Sequence, residues 1–156
     1  MNPDHEFLLR RIEELLENEE AYLSFFMDSP VPSWHKSIDG DRLVMDIVNP
    51  AYTAYTGISM GAYKGREDRA VWGQQVGDTF GDNDRKVLET RTRVPIEEST
   101  ILPNSGKEVV WVGWKWPRFD QEGRIIGIWG SAIPYDKEVW DSVSHLRSQL
   151  RSPSDG

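Results

Sequence analysis

The apolar positions of this chain are densest between Glu108 and Ile133, EVVWVGWKWPRFDQEGRIIGIWGSAI. From Val109 to Trp116 the residues are β-branched or aromatic almost without a break, and Ile125 to Ile133 forms a second such run. Between them Asp120, Gln121, Glu122 and Gly123 supply turn chemistry, so the stretch predicts a β-hairpin. Pro117 is expected to end the first strand, because proline cannot donate to a central ladder. Strand alternation puts Val110, Val112, Trp114 and Trp116 on one face. Trp111 and Gly113 fall on the other, which ends at Lys115. A hairpin apolar on both faces must be covered on both.

The rest of the chain reads as that cover. Residues 2–28 predict a helix: Asn2 caps it, Pro3 suits its first position, and Asp4 and Glu6 complement its dipole. Leu9, Ile12, Leu16, Leu23 and Phe26 recur at three- and four-residue steps, and Leu8, Leu15 and Tyr22 widen the stripe. Such a helix packs on its own domain, or also pairs with a copy of itself. Asp28-Ser29-Pro30 ends it. Strands follow over Val31–Ile38 and Arg42–Val48, joined by the turn Asp39-Gly40. Asn49-Pro50 opens a short helix that stops at Gly57. Residues 58–77 read as turns and glycines anchored by Trp72. A longer helix begins at Asp78 or Asp82 and runs through Val87 and Leu88 to about Thr92. Val94–Leu102 is a third strand, closed by Pro103-Asn104-Ser105-Gly106. Beyond Pro134, residues 136–150 predict a helix with Val139, Val143, Leu146 and Leu150 on one side. The fold class expected is α+β, a five-stranded antiparallel sheet with helices on one face. Its parts are an N-terminal amphipathic helix (1–28), a central domain (29–136), a C-terminal helix (137–150) and a disordered tail (151–156).

Composition narrows the function. The 156 residues suffice for one domain with a real core. The chain has no cysteine, which excludes disulfides, thiolate metal sites and cysteine nucleophiles and agrees with a reducing, cytoplasmic setting. A net charge of −8 disfavours nucleic acid and anionic lipid. No apolar run approaches the roughly 20 residues that span a bilayer, and no signal peptide is evident. Seven tryptophans call for burial or a partner surface.

Catalytic and metal chemistry is poorly represented. His5, His35 and His145 lie far apart and read as surface residues rather than ligands. Asp82-Asn83-Asp84 resembles a calcium loop, but Val87 stands where that loop needs glycine. Gly57, Gly61 and Gly65 lack the Gly-Lys-Ser/Thr of a phosphate cradle. Glu97 and Glu98 point to opposite faces of a strand and do not converge. No enzyme activity is expected, and metal sites are expected to be absent.

Several segments, in order and spacing, resemble the PAS domain, a small sensory and interaction module. Asp28-Ser29-Pro30-Val31-Pro32 resembles the opening of many PAS domains, and Ile38-Asp39-Gly40-Asp41 their first hairpin turn. Val48 to Gly57, VNPAYTAYTG, is very like the family's "vNpAy…TG" segment. Asn83 to Thr90 looks like the start of the long PAS helix. Pro117-Arg118-Phe119-Asp120 with Gly123, then Gly127-Ile128-Trp129-Gly130, looks like the closing hairpin. The resemblance covers about residues 24–136.

The resemblance implies a space between the helices and one sheet face, either filled by side chains or left as a pocket for a non-covalent small organic ligand. Ile126, Ile128, Gly130 and Ala132 would face it with Trp111 and Gly113, and Tyr52, Trp72, Phe80 and Val87 would line the opposite wall. This inner lining is nearly all apolar. A flavin adduct is disfavoured, since flavin light sensors of this type use a cysteine. Haem is disfavoured too, since residues 78–92 contain no histidine. The outer face would hold Val112, Trp114, Trp116 and Trp129. With Leu9, Ile12, Leu16 and Leu23 of the N-terminal helix it would form a homodimer or engage a protein partner. The family often ends in Asp-Ile-Thr leading to a signalling helix, whereas Ile133-Pro134-Tyr135-Asp136 stands here. The expectation is a stand-alone module whose partner carries the output; the alternatives are a sensor whose main role is to bind a small molecule in the inner pocket and, ranked last, a small α+β enzyme.

Overall fold

A computed structural model describes residues 19–150. Leu9, Ile12 and Leu16, with most of the expected N-terminal helix and the 151–156 tail, lie outside these residues. Helix α1 (Glu19–Asp28) leads into β1 (Ser33–Asp39) and β2 (Arg42–Val48). Four helices follow: α2 (Pro50–Thr56), α3 (Met60–Tyr63), α4 (Asp68–Trp72) and α5 (Gln74–Thr90). The chain then forms β3 (Val94–Ile101), β4 (Glu108–Phe119), β5 (Ile125–Asp136) and α6 (Lys137–Leu150). The five strands make one antiparallel sheet in the order β2-β1-β5-β4-β3. It is the α+β fold expected, with α2 to α5 inserted between the second and third strands.

Local chemistry accounts for most boundaries. The Asn49 side chain accepts a hydrogen bond from the Tyr52 amide and Pro50 takes the first turn, so α2 starts there. Residues 58–77, read as turns, contain two short helices. Ser59 caps α3, its side chain accepting from the Ala62 amide. The long helix begins at Gln74 rather than at Asp78, Asp82 or Asn83, because Gly73 bends the chain between α4 and α5 with φ +90°.

The hairpin is longer than expected at both ends. Pro117 does not end β4, which runs on to Phe119, and Pro134 lies within β5. The reason is the sheet's stagger. β3 pairs with β4 only as far as Lys115, so Pro117 has a neighbour strand on one side alone. β1 pairs with β5 only over Gly127–Ser131, and Pro134 stands beyond it. Both prolines occupy edge positions of otherwise central strands, where proline is tolerated.

The core lies between the sheet and α2–α5. Trp34, Met45, Tyr52, Tyr63, Trp72, Phe80 and Trp111 belong to one buried cluster. The other sheet face carries α1. The Tyr22 and Phe26 rings pack on Trp129 with centroids 4.7 and 5.6 Å away, and Tyr22 also meets Trp116 edge-on at 6.3 Å. Leu23 points away from this contact and is exposed.

Candidate functional site

The inner sheet face is not the apolar wall that alternation suggested. Lys36 projects from β1, Glu98 from β3 and Lys115 from β4, and all three are buried. Asp84 of α5 and Asp68 of α4 approach from the helices. Lys36 Nζ lies 2.5 Å from Asp68 Oδ2 and 2.7 Å from Asp84 Oδ2. Lys115 Nζ lies 2.9 Å from Asp84 Oδ1 and 2.7 Å from Glu98 Oε2, and donates to the Phe80 carbonyl at 3.2 Å. Asn83 Nδ2 donates to Glu98 Oε2 at 3.0 Å, and the Tyr63 hydroxyl to Asp68 Oδ1 at 2.5 Å. Five charged side chains thus form one chain, Asp68–Lys36–Asp84–Lys115–Glu98, across the helix–sheet interface.

Burial and pairing oppose one another in this chain. Desolvation alone would push the Asp84 carboxyl up, but the ammonium groups of Lys36 and Lys115 more than reverse it and hold it below the ordinary carboxylate range. Desolvation would likewise lower the Lys36 ammonium, and Asp68 and Asp84 instead raise it above the ordinary lysine value. The Tyr52 and Tyr63 hydroxyls are pushed up, mainly by burial. At neutral pH the Asp84 carboxylate and the Lys36 ammonium are therefore charged and the two phenols neutral.

A small cavity lies against this chain. Lys36, Glu98 and Lys115 line it together with Trp34, Met45, Tyr52, Tyr63, Phe80 and Trp111. The centre of a water molecule has about 20 Å³ to move in, close to the ~10–15 Å³ that one water needs. The Trp34 indole N–H, at its wall, has no acceptor among the described residues. On their other side Asp68 and Asp84 reach a wide open cleft of about 470 Å³ between the β1–β2 hairpin and α5.

Of the residues expected to line a pocket, Tyr52, Phe80 and Trp111 do so. Trp72 stands behind the wall, its Nε1 donating to the Tyr52 hydroxyl at 3.2 Å. Val87 and Ile128 are fully buried but do not line the cavity. Ile126 is 38 % exposed, a correction to the expected inner position. The register of β4 on β5 shifts between Arg118 and Phe119, where Phe119 pairs with Ile125 and Arg118 with Gly127; Ile126 is the extra residue and turns outward. Sequence reasoning missed Trp34, Met45, Tyr63 and the charged residues. Alternation carried the signal: Trp34 and Lys36 share a face of β1, and Lys115 falls on the Trp111 face of β4.

The outer face is aromatic. Trp116 and Trp129 are direct cross-strand partners beneath α1. Trp114 is 44 % exposed with the Arg93 guanidinium 4.4 Å from its ring, Ile133 is exposed, and Val112 is half-buried between them. His35 lies on this face as well. It is buried, not a surface residue, with Nδ1 3.0 Å from Asp46 Oδ2 and its ring packed on Trp129. Among the described residues no group of side chains could hold a metal ion, and no helix is long and apolar enough to cross a membrane.

Similar folds are known. An RNA-binding light-oxygen-voltage (LOV) receptor superimposes with a TM-score of 0.65 at 14 % identity; the match covers 86 % of this chain but only 38 % of that one. The LOV protein of Rhodobacter sphaeroides matches with a TM-score of 0.60 at 15 % identity, covering 83 % of this chain and 69 % of that one. A LOV domain studied with a flavin analogue matches at 0.60 and 12 %, over 77 % and 88 %. At these identities the likeness is one of fold. No curated protein matches the sequence. The family model of the PAS fold matches residues 30–134, more than half of the sequence, and by that match the chain belongs to the PAS fold family.

Proposed function

We propose that this PAS domain is a signalling module acting through protein contacts on its outer face, with a second copy of the chain as the first partner. The observation that carries the reading is the two-sided apolar character of α1. Tyr22 and Phe26 seat on Trp129 and Trp116, while Leu23, Phe25 and Met27 are exposed. A helix apolar on more than one side is normally buried on more than one side. Trp114 and Ile133 are exposed on the same sheet face, and Val139, Leu146 and Leu150 are exposed on α6. Sedimentation of the full chain tests the reading. A dimer that L23E/M27E converts to a folded monomer supports it; a strict monomer at high micromolar concentration overturns it.

A second reading concerns the cavity. The Trp34 N–H at its wall favours a small polar molecule with an acceptor. A flavin does not fit: Trp34, Trp111 and Tyr52 fill the interior, the remaining space is water-sized, and the chain has no cysteine for an adduct. Native mass spectrometry of the purified chain reads this directly, and a bound flavin would overturn it.

A further inference from the structure

Asn49 caps α2, but its amide does more than capping requires. It is fully buried. Its Oδ1 accepts from the Tyr52 amide at 3.0 Å and from the Ser33 amide at 2.9 Å. Its Nδ2 donates to the Phe26 carbonyl at 3.0 Å and to the Val31 carbonyl at 2.9 Å, and makes a longer contact to the Ser29 carbonyl at 3.4 Å. An asparagine amide has two N–H donors and a carbonyl with two lone pairs, so the side chain's capacity is used in full. These bonds join the last turn of α1, the α1–β1 connection, the start of β1 and the first turn of α2.

The neighbours of these bonds give the arrangement meaning. Phe26, whose carbonyl Asn49 holds, packs its ring on Trp129 of the outer face. Tyr52, whose amide Asn49 caps, lines the inner cavity and accepts from Trp72. One side chain therefore ties the outer helix to the cavity wall, around the end of the sheet rather than through it. We propose that Asn49 is a positioning residue coupling the two faces, so that a change at the Tyr52 wall alters the seat of α1 on the outer face. The proposal rests on the reading of α1 as the contact helix for its signalling value; the coupling itself does not require a dimer.

Substitution can divide the two halves of the amide. N49D keeps the acceptors for the Tyr52 and Ser33 amides, and Asp caps a helix as well as Asn. It loses both donors and sets a carboxylate oxygen against the Phe26 and Val31 carbonyls. Hydrogen exchange of the full chain reads the result. The α1 amides from Tyr22 to Asp28 should exchange at least roughly tenfold faster in N49D, while the α2 and α5 amides keep parental protection. N49S, which caps without a charge but cannot reach Phe26, should show the same pattern. W72F, which disturbs the cavity wall alone, should loosen α1 when Asn49 is present and add nothing in N49D or N49S. Parental exchange in α1 of either variant overturns the proposal. So does equal loosening of α1 and α2, including unfolding of both variants, because Asn49 would then be a general core residue. Repeating the measurement at low and high micromolar protein separates the two readings. If the dimer reading fails, parental α1 exchange is independent of concentration and the N49D effect persists; if the coupling fails, the N49D effect is absent at both.

Discussion

Lys115 Nζ stands 2.7 Å from Glu98 Oε2, and each side chain is 1 % exposed. A buried pair of this kind costs much desolvation and is held by its remaining bonds, which for Lys115 go to Asp84 and the Phe80 carbonyl. K115M leaves two buried carboxylates short of a partner, and a loss of about 3–5 kcal/mol in urea unfolding is expected. K115M/E98M should lose clearly less than the sum of the single variants, since it removes both members of the pair. Simple additivity would show that the five groups do not act as one network.

The same network sets the pH limits of stability. Asp84 is lowered in the folded state from an ordinary value of 3.8. Its contribution is therefore present above that value and is lost as pH falls through the folded one. Lys36 is raised from 10.5, and the Tyr52 and Tyr63 hydroxyls from 10.0. These contributions are complete below the ordinary values and are lost as pH rises beyond them. Thermal unfolding followed across pH should show a plateau, an acid decline below about pH 4 and an alkaline decline above about pH 10. D84N should remove most of the acid slope while lowering the plateau. An unchanged slope would assign it to other carboxylates.

Gly130 faces the Trp34 indole, and a Cβ at that position would collide with the Trp34 ring. G130A should therefore cost about 1–3 kcal/mol, the usual penalty for overpacking. Gly81 in α5 has open space where its Cβ would stand. G81A should stabilise by about 0.5–1 kcal/mol, because alanine suits a helix interior better than glycine. Chemical denaturation of the two variants should give opposite signs. A neutral G130A would mean that Trp34 moves aside readily and that the cavity is adaptable.

Riboflavin and its phosphates should not bind. Adding the purified chain to a flavin solution should leave the flavin's fluorescence and visible absorption unchanged. Stoichiometric quenching would require Trp34 and Trp111 to leave the interior and would overturn the reading of a water-sized cavity.

The local features of this fold were legible along the chain. The alternation in 109–116 and 125–133 separates Trp111 and Gly113 from Trp116 and Trp129, because strand side chains point to opposite faces in turn. Asn49-Pro50 announces α2, because capping needs only residues within one turn. The order of these pieces also carried the family resemblance. The ionic chain was not legible. Lys36 and Asp84 are 48 positions apart, and Lys115 and Glu98 are 17 apart on neighbouring strands. Apart from Lys115, which alternation puts on the Trp111 face, each alone reads as an ordinary surface charge.

Where each strand ends also escaped the sequence. Pro117 and Pro134 look like breakers until the stagger of β3 and β1 leaves each of them a free side. Ile126 looks inward by alternation until one extra residue turns it out. The sequence by itself determined the five strands, their order and the split of the tryptophans between the two faces, since these depend on period and capping within a few residues. The tertiary structure decided the rest: that lysines and carboxylates remote in sequence meet in the core, and that the cavity they border is water-sized. Those outcomes depend on register between strands and on helices packing across the sheet, distances that no local pattern encodes.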